Sequence, residues 1–299
     1  MARNQNKIKL SHGDRIFTTI NYCVLTFALI IVLYPMIFIV SASFSSAVAV
    51  KSNKVWLYPV GFNVEGYKAA LKHPLILSGF WNSIKVTVMG TITNIVLTFL
   101  VAYPLSVRGL WGKTFLTWLW TFTMLFSGGM IPLYLVVVKL NMLNTYPALF
   151  VPMAVSVYNM IIARTNIQSI PYDMYESATL DGCSDFRYFI QFVIPLSKAV
   201  IAVLTLYYAV GHWNGYFAAL MYLTERKMFT LQQVLREIII MNTVDPTQMV
   251  GADELLRKQG LKDLLKYSLV VVSTVPMLCV YPFIQKHFVK GVMIGSIKG

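Results

Sequence analysis

Six apolar runs, each near the length needed to cross a bilayer, limit what this chain can fold into. About 20 mainly apolar residues span the hydrocarbon core of a membrane. Runs of this kind lie near 16–42, 84–106, 114–138, 146–163, 195–222 and 265–288. Inside a membrane every backbone N–H and C=O must find an internal partner, and these runs are far too long for barrel strands, so helices remain. With 57% hydrophobic and only 12% charged residues, the chain also lacks the polar surface that a soluble domain requires. The expected fold class is all-α: a polytopic membrane protein with about six transmembrane helices. The third run holds Gly128, Gly129 and Pro132 and is expected to be broken or kinked. The first is longer than the apolar part of a signal peptide and has no small-residue cleavage site in its middle, so it reads as a span.

Short connections set the orientation. Arg3, Lys7, Lys9 and Arg15 precede the first run, and Arg108 and Lys113 flank the link after the second, whereas the link after the third carries only Lys139. The positive-inside rule then puts the N-terminal tail in the cytoplasm. Six spans return the C-terminus and the connection 164–195 to the same side. The expected domain map is a cytoplasmic tail at 1–15, a transmembrane domain at 16–288 and a cytoplasmic tail at 289–299. Two long loops, 43–83 and 223–264, lie outside. Trp56, Tyr58, Pro59 and Trp81 suit an interfacial connection in the first. In the second, Leu231, Val234, Leu235 and Ile238 recur at helical spacing, as in a helix lying on the membrane or a partner; a solvated loop with one helix is the alternative.

What the chain lacks is equally informative. The formal charge of +13 comes without a basic stripe interleaved with aromatics and without zinc-finger spacing, which argues against nucleic acid. Anchoring to a lipid bilayer with anionic headgroups explains it more simply. Cys23, Cys183 and Cys279 are dispersed, as are the histidines at 12, 73, 212 and 287, so no metal site is expected. All 12 carboxylates fall outside the six runs, leaving little with which to couple transport to an ion gradient. There is no phosphate loop, no dinucleotide fingerprint and no nucleophile elbow, so the chain is not expected to be an enzyme. Energy must come from a partner.

The connection from Arg164 to Pro195 is the place to receive it. It holds Asp173, Glu176, Asp181 and Asp185. Pro171 suits the first position of a short helix, and Asp173 complements that helix's positive end. Gly182 suits its stop. Ser184 suits the cap of a second helix with Phe186, Phe189, Ile190 and Val193 on one face. The pattern is a two-helix docking element between membrane spans.

These residues resemble the EAA loop of permease subunits in ABC importers. Its usual form is E-A-A, three residues, G, nine residues, I-x-L-P. Glu176, Ala178, Gly182 and Pro195 match at that spacing, with Ser177, Phe192 and Ile194 in place of Ala, Ile and Leu. The run 207–223, YYAVGHWNGYFAALMYL, resembles the fifth-span region of maltose-type carbohydrate permeases, and the closing KGVMIGSIKG resembles the tail of that group's second permease. The resemblance implies a cytoplasmic-membrane permease of a prokaryote that pairs with a second permease. Two ATPase subunits would bind ATP and Mg, so this chain needs no cofactor of its own. An extracytoplasmic solute-binding protein would deliver a carbohydrate, most closely an oligosaccharide. It further implies that the loop contacts the ATPases through Tyr175, Glu176, Ser177, Ala178, Asp181, Gly182, Phe186, Phe189 and Pro195. Tyr207, Tyr208, His212, Trp213, Asn214 and Tyr216 are candidates for the substrate path, because aromatic faces suit sugar C–H surfaces and Asn or His bonds hydroxyls. For the same residues, an interfacial aromatic belt and helix–helix hydrogen bonds are the competing explanation. Permeases for amino acids, peptides or anions, and a non-ABC secondary carrier, remain as alternatives.

Overall fold

A 33-residue helix, Pro74–Ser106, runs through the larger part of this protein and collects most of its helix packing. The structure is a computed structural model and describes residues 11–241, 260–280 and 282. The described elements are all helical. They are α1 (His12–Ser43), α2 (Ala47–Lys51), α3 (Glu65–Lys72), α4 (Pro74–Ser106), α5 (Lys113–Leu125), α6 (Met130–Lys139) and α7 (Val157–Gln168). After these come α8 (Tyr172–Leu180), α9 (Asp185–Leu196), α10 (Lys198–Asn214), α11 (Phe217–Tyr222), α12 (Leu231–Met241) and α13 (Gly260–Val280). Three helices, α1, α4 and α13, are long and apolar enough to cross a membrane, and two bent pairs raise the number to as many as five.

The chain divides into two compact units. One comprises residues 1–72 and 244–272, the other 73–243 and 273–299. In the first, α1 opens on a capping box: Asp14 N–H donates to Ser11 Oγ, and Ser11 N–H donates to the Asp14 carboxylate. None of the most apolar stretch of α1 is buried within the protein, as befits a helix whose solvent is lipid. Its C-terminal end packs Ala42 with Ala49 and Val55, and Phe38 meets Tyr267 of α13 edge to face.

In the second unit α4 is the organiser. At about 1.5 Å per residue it is roughly 50 Å long, well beyond a hydrocarbon core of about 30 Å. Gly79, Ser83, Thr87, Gly90, Thr91, Asn94, Thr98 and Ala102 are among its buried residues, a stripe of small and polar side chains at helical spacing. Between apolar helices in lipid such residues supply close backbone approach and interhelical hydrogen bonds. Helices α10 and α7 pack on this stripe. The closest approach is at Gly90, where a Cβ would lie 2.7 Å from Nε2 of His212 on α10.

The first ten residues of α4 precede the predicted 84–106 span and do a different job. Asn82 Nδ2 donates to the carbonyls of Lys227 and Phe229 at 2.8 and 3.0 Å, Tyr146 OH donates to Asn82 Oδ1, and Leu231 N–H donates to Ser83 Oγ. This pins α12. Its Leu231, Val234 and Leu235 are buried on α4, so the helix expected to lie on the membrane or a partner spends its apolar face on its own chain.

The third run breaks as its glycines suggest, and its two halves bend by 113°. Two other expectations change. The fourth is not one helix: a 3₁₀ turn at Tyr146–Leu149 and an irregular stretch through Pro152 precede α7, which starts where Ser156 Oγ accepts the Asn159 N–H. The fifth is split, with α9 meeting α10 at 79° and a second break at Gly215 before α11. Proline without an N–H and a serine cap each offer the backbone an alternative to continuous helix. Most of the 1–15 tail, much of the 223–264 loop beyond α12, the end of the sixth run and the 289–299 tail lie outside the described residues.

The Gly90–His212 approach predicts a coupled pair. Gly90→Ala should overpack the α4–α10 contact and destabilise the protein by about 1–3 kcal/mol, while His212→Ala in the same chain should restore much of the loss. Thermal unfolding of the purified protein in detergent measures both; simple additivity would show that the two residues do not meet.

Candidate functional site

The acidic connection folds into two helices joined by a four-residue turn. Pro171 stands one place ahead of the predicted position: its ψ of 131° makes it the N-cap, and helix begins at Tyr172. Asp173 lies in the first turn, beside the positive helix end. The stop is a Schellman arrangement. Gly182 takes φ +77°, its N–H donates to Thr179 O at 3.0 Å, and Cys183 N–H donates to Ala178 O at 2.9 Å. Two carbonyls at the end of α8 are thereby paired. Ser184 then caps α9, its Oγ accepting the Arg187 N–H.

Helix α9 departs from the predicted face. Residues Phe189–Val193 form a π turn, which inserts one extra residue into the helical period. Tyr188, Phe189 and Val193 therefore point inward and are buried, while Phe186 and Ile190 are 70% and 48% exposed. The four apolar residues thought to share a face are divided between inside and outside.

Aromatic rings hold the hairpin against the end of α4. Tyr103 tilts against Phe189 at 4.9 Å, Tyr188 meets Tyr175 edge to face at 5.2 Å and stacks on Phe192 at 5.1 Å. Across the turn, Tyr175 OH donates to Asp185 Oδ1 at 2.8 Å, and Tyr103 OH donates to the Asp185 carbonyl at 3.3 Å. The bond to the Asp185 carboxylate, with burial behind it, holds the Tyr175 phenol above its ordinary pKa.

The predicted loop residues thus separate. Glu176, Ser177, Asp181, Gly182 and Phe186 are on the exposed side, and Pro195 is exposed where α9 approaches its bend. Ala178 and Phe189 belong to the apolar core, and Tyr175 is a strut between the two helices. One exposed residue escapes the sequence reading: Leu180 is 88% exposed, one helical turn beyond Glu176. An apolar residue in an otherwise polar helix face was its only signal.

The six span-five candidates also separate. Tyr208 is buried, sharing a 2.7 Å hydrogen bond with Thr98 Oγ1 and accepting the Ser156 N–H. Trp213 is buried, donates through Nε1 to Ser273 O at 2.9 Å and meets Phe80 edge to face. His212 is half-buried against Gly90 and Phe150. Tyr207 and Tyr216 are 41% and 44% exposed, Asn214 is exposed, and the Arg236 guanidinium lies 5.4 Å over the Tyr216 ring. The structure does not gather the six into one cluster. Among the described residues no three His, Cys, Asp or Glu side chains come together as metal ligands would.

The chain is 42% identical over 289 residues to a polygalacturonan/rhamnogalacturonan transport system permease, YtcP, of Bacillus subtilis, covering 96% of this chain and 99% of that one. It is 40% identical to the LplC protein of the same organism, covering 96% of each. Its structure superposes on a chain of a bacterial ABC transporter involved in import of the acidic polysaccharide alginate, with a TM-score of 0.86, 32% identity, and 94% of this chain and all of that one covered. No family model matches.

The turn chemistry predicts a graded response. At Gly182 a Cβ would meet nothing within 4 Å, so Gly182→Ala should cost only the left-handed backbone penalty of about 1–2 kcal/mol. Gly182→Pro removes the N–H that bonds Thr179 and cannot adopt positive φ, and should unlatch the turn. Hydrogen–deuterium exchange over 178–188 should rise slightly in the first variant and strongly in the second; equal exchange would contradict the Schellman stop.

Proposed function

The chain belongs to the permease subunits of carbohydrate ABC importers, and from that membership we propose that it imports oligosaccharides by receiving ATPase motion through the hairpin Arg164–Pro195. Like its relatives it is a membrane transport permease rather than an enzyme. The observation that carries the proposal is the outward display of Glu176, Leu180, Asp181 and Phe186 on a hairpin whose backbone is latched at Gly182 and whose inner face is anchored to α4.

Each feature has a physical use. Glu176 and Asp181 offer carboxylates to basic groups on an ATPase, and Leu180 and Phe186 offer apolar knobs to a hollow, the combination of anchor and charged surround that sustains small interfaces. Ser177 lies on the same exposed side. Tyr175, Ala178, Gly182, Phe189 and Pro195 shape the hairpin. Because Phe189 and Tyr103 lock it to α4, a displacement of the docked ATPase is passed to the helix that organises the spans. The two ATPase subunits bind ATP and Mg, and this chain carries no cofactor.

The remaining partners complete the reading. A second permease faces this one across the substrate path, and an extracytoplasmic binding protein delivers the sugar. Residues 16–288 form the permease domain in a prokaryotic cytoplasmic membrane, with the tails 1–15 and 289–299 and the hairpin in the cytoplasm, and the loops 43–83 and 223–264 outside. Tyr207, Asn214 and Tyr216, the accessible members of the span-five set, are the better candidates to touch sugar; Tyr208, His212 and Trp213 support them from within.

Two experiments test this. Glu176→Lys combined with Asp181→Lys, and separately Leu180→Asp combined with Phe186→Asp, should abolish assembly with the ATPases or coupled uptake while membrane insertion stays intact. Normal binding-protein-stimulated ATP hydrolysis in both would refute docking through the hairpin. Asn214→Ala and Tyr216→Ala should alter competition among oligosaccharides for uptake, and unchanged profiles would remove both from the path.

A further inference from the structure

A cleft of about 290 Å³ opens at the root of the hairpin, where the end of α4, the start of α5 and the end of α7 meet it. No carboxylate lines it. Arg108 and Lys113 do, together with Tyr103, Tyr172, Tyr175 and Tyr188, over an apolar floor that includes Ile167 and Val193. The Arg108 guanidinium lies 4.3 Å over the Tyr172 ring, at the first residue of α8. Lys113 Nζ donates to the carbonyls of Ser106 and Val107, which close α4, and keeps a third N–H. Lys113 also feels the like charges of Arg164 and Arg108. Arg164 buries an Nε that has no hydrogen-bond partner. The described ion pairs, Arg226–Glu237 and Lys227–Glu225, involve none of the three.

Three neighbouring cations without a counter-ion call for an anion. The place suits one class of anion in particular. The turn between α4 and α5 lies where two apolar helices end, the level at which lipid headgroups sit, and Trp111 in that turn is 95% exposed, as an interfacial anchor would be. Basic pockets between helix ends on the cytoplasmic side are suited to acidic headgroups.

We propose that this cleft binds the phosphate of an anionic phospholipid headgroup between Arg108 and Lys113, with the charge of Arg164 adding to theirs from behind the lining, the glycerol and tyrosine rings in contact and the acyl chains outside along α5. The bound lipid ties the ends of α4 and α7 to the first turn of α8 and so holds the hairpin at its working angle. This rests on the reading that the hairpin end faces the cytoplasm. A free phosphate ester shares the chemistry but has no reason to choose a cleft at the bilayer edge.

The test uses the assembled transporter, delipidated in detergent and titrated with phosphatidylglycerol, phosphatidylcholine or soluble glycerol phosphate, with bound molecules counted by native mass spectrometry. Phosphatidylglycerol should be retained in preference to phosphatidylcholine. Arg108→Gln with Arg164→Gln should weaken it roughly 30-fold, from about five-fold per neutralised cation. Arg108→Lys should keep most of the affinity, and Arg226→Gln should leave it unchanged. A photoactivatable phosphatidylglycerol on the unmutated complex should label the 103–113 segment, which decides the matter even if the double variant fails to assemble. Equal retention of the two lipids, unchanged binding in the double variant, labelling elsewhere only, or displacement by glycerol phosphate would each overturn the proposal. The same spectra report ATPase subunits: lipid kept with ATPases lost faults the docking hairpin, and ATPases kept with lipid lost faults the lipid site.

Discussion

Everything in the larger unit depends on how closely other helices approach α4. Lipid removes the usual hydrophobic reason for apolar helices to associate, so contact must come from shape and hydrogen bonding. Gly90 and its small neighbours let α10 come near enough for His212 to rest on the backbone of α4. Thr98 reaches Tyr208 across the same seam, and Tyr208 in turn accepts the N–H of Ser156 at the start of α7. One hydroxyl therefore joins three helices. Tyr208 and His212, two of the candidates for sugar recognition, thus take part in contacts between helices.

The long helix also connects two ends of the larger unit. Its first turns hold α12 through Asn82 and Ser83, and its last turns hold the hairpin through Tyr103. A continuous helix with the hairpin at one end and α12 at the other can pass a displacement along its length. The breaks at 126–129, at Ser197 and at Gly215 lie in the elements around it, so bending is placed in the surroundings and not in the rod. Non-helical backbone at membrane depth is tolerable where protein or a wet cavity supplies hydrogen bonds.

Within the hairpin, stability and contact are assigned to different side chains. The glycine latch, the serine cap and the tyrosine–aspartate bond fix the backbone, and the buried rings fix its position. Glu176, Leu180, Asp181 and Phe186 take no part in these contacts and remain exposed.

Much of this was legible in the residues alone. Apolar runs, the turn chemistry at Gly182 and Ser184, and the break near Gly129 are local properties, since backbone hydrogen bonding and φ preference are decided within a few residues. Helix content, membrane residence and the existence of the two-helix element followed from them. The facing of side chains was not local. The π turn at 189–193 moves Phe186 outward and Tyr188 inward, and no pattern in the sequence announces an inserted residue in the helical period. Likewise Leu231, Val234 and Leu235 have the spacing of a membrane-surface helix, yet Asn82 and Ser83, some 150 residues earlier, hold them against α4. Periodicity tells a helix which face is apolar; only the tertiary structure decides what that face meets, because the choice among partners depends on shape and hydrogen bonds contributed by distant parts of the chain.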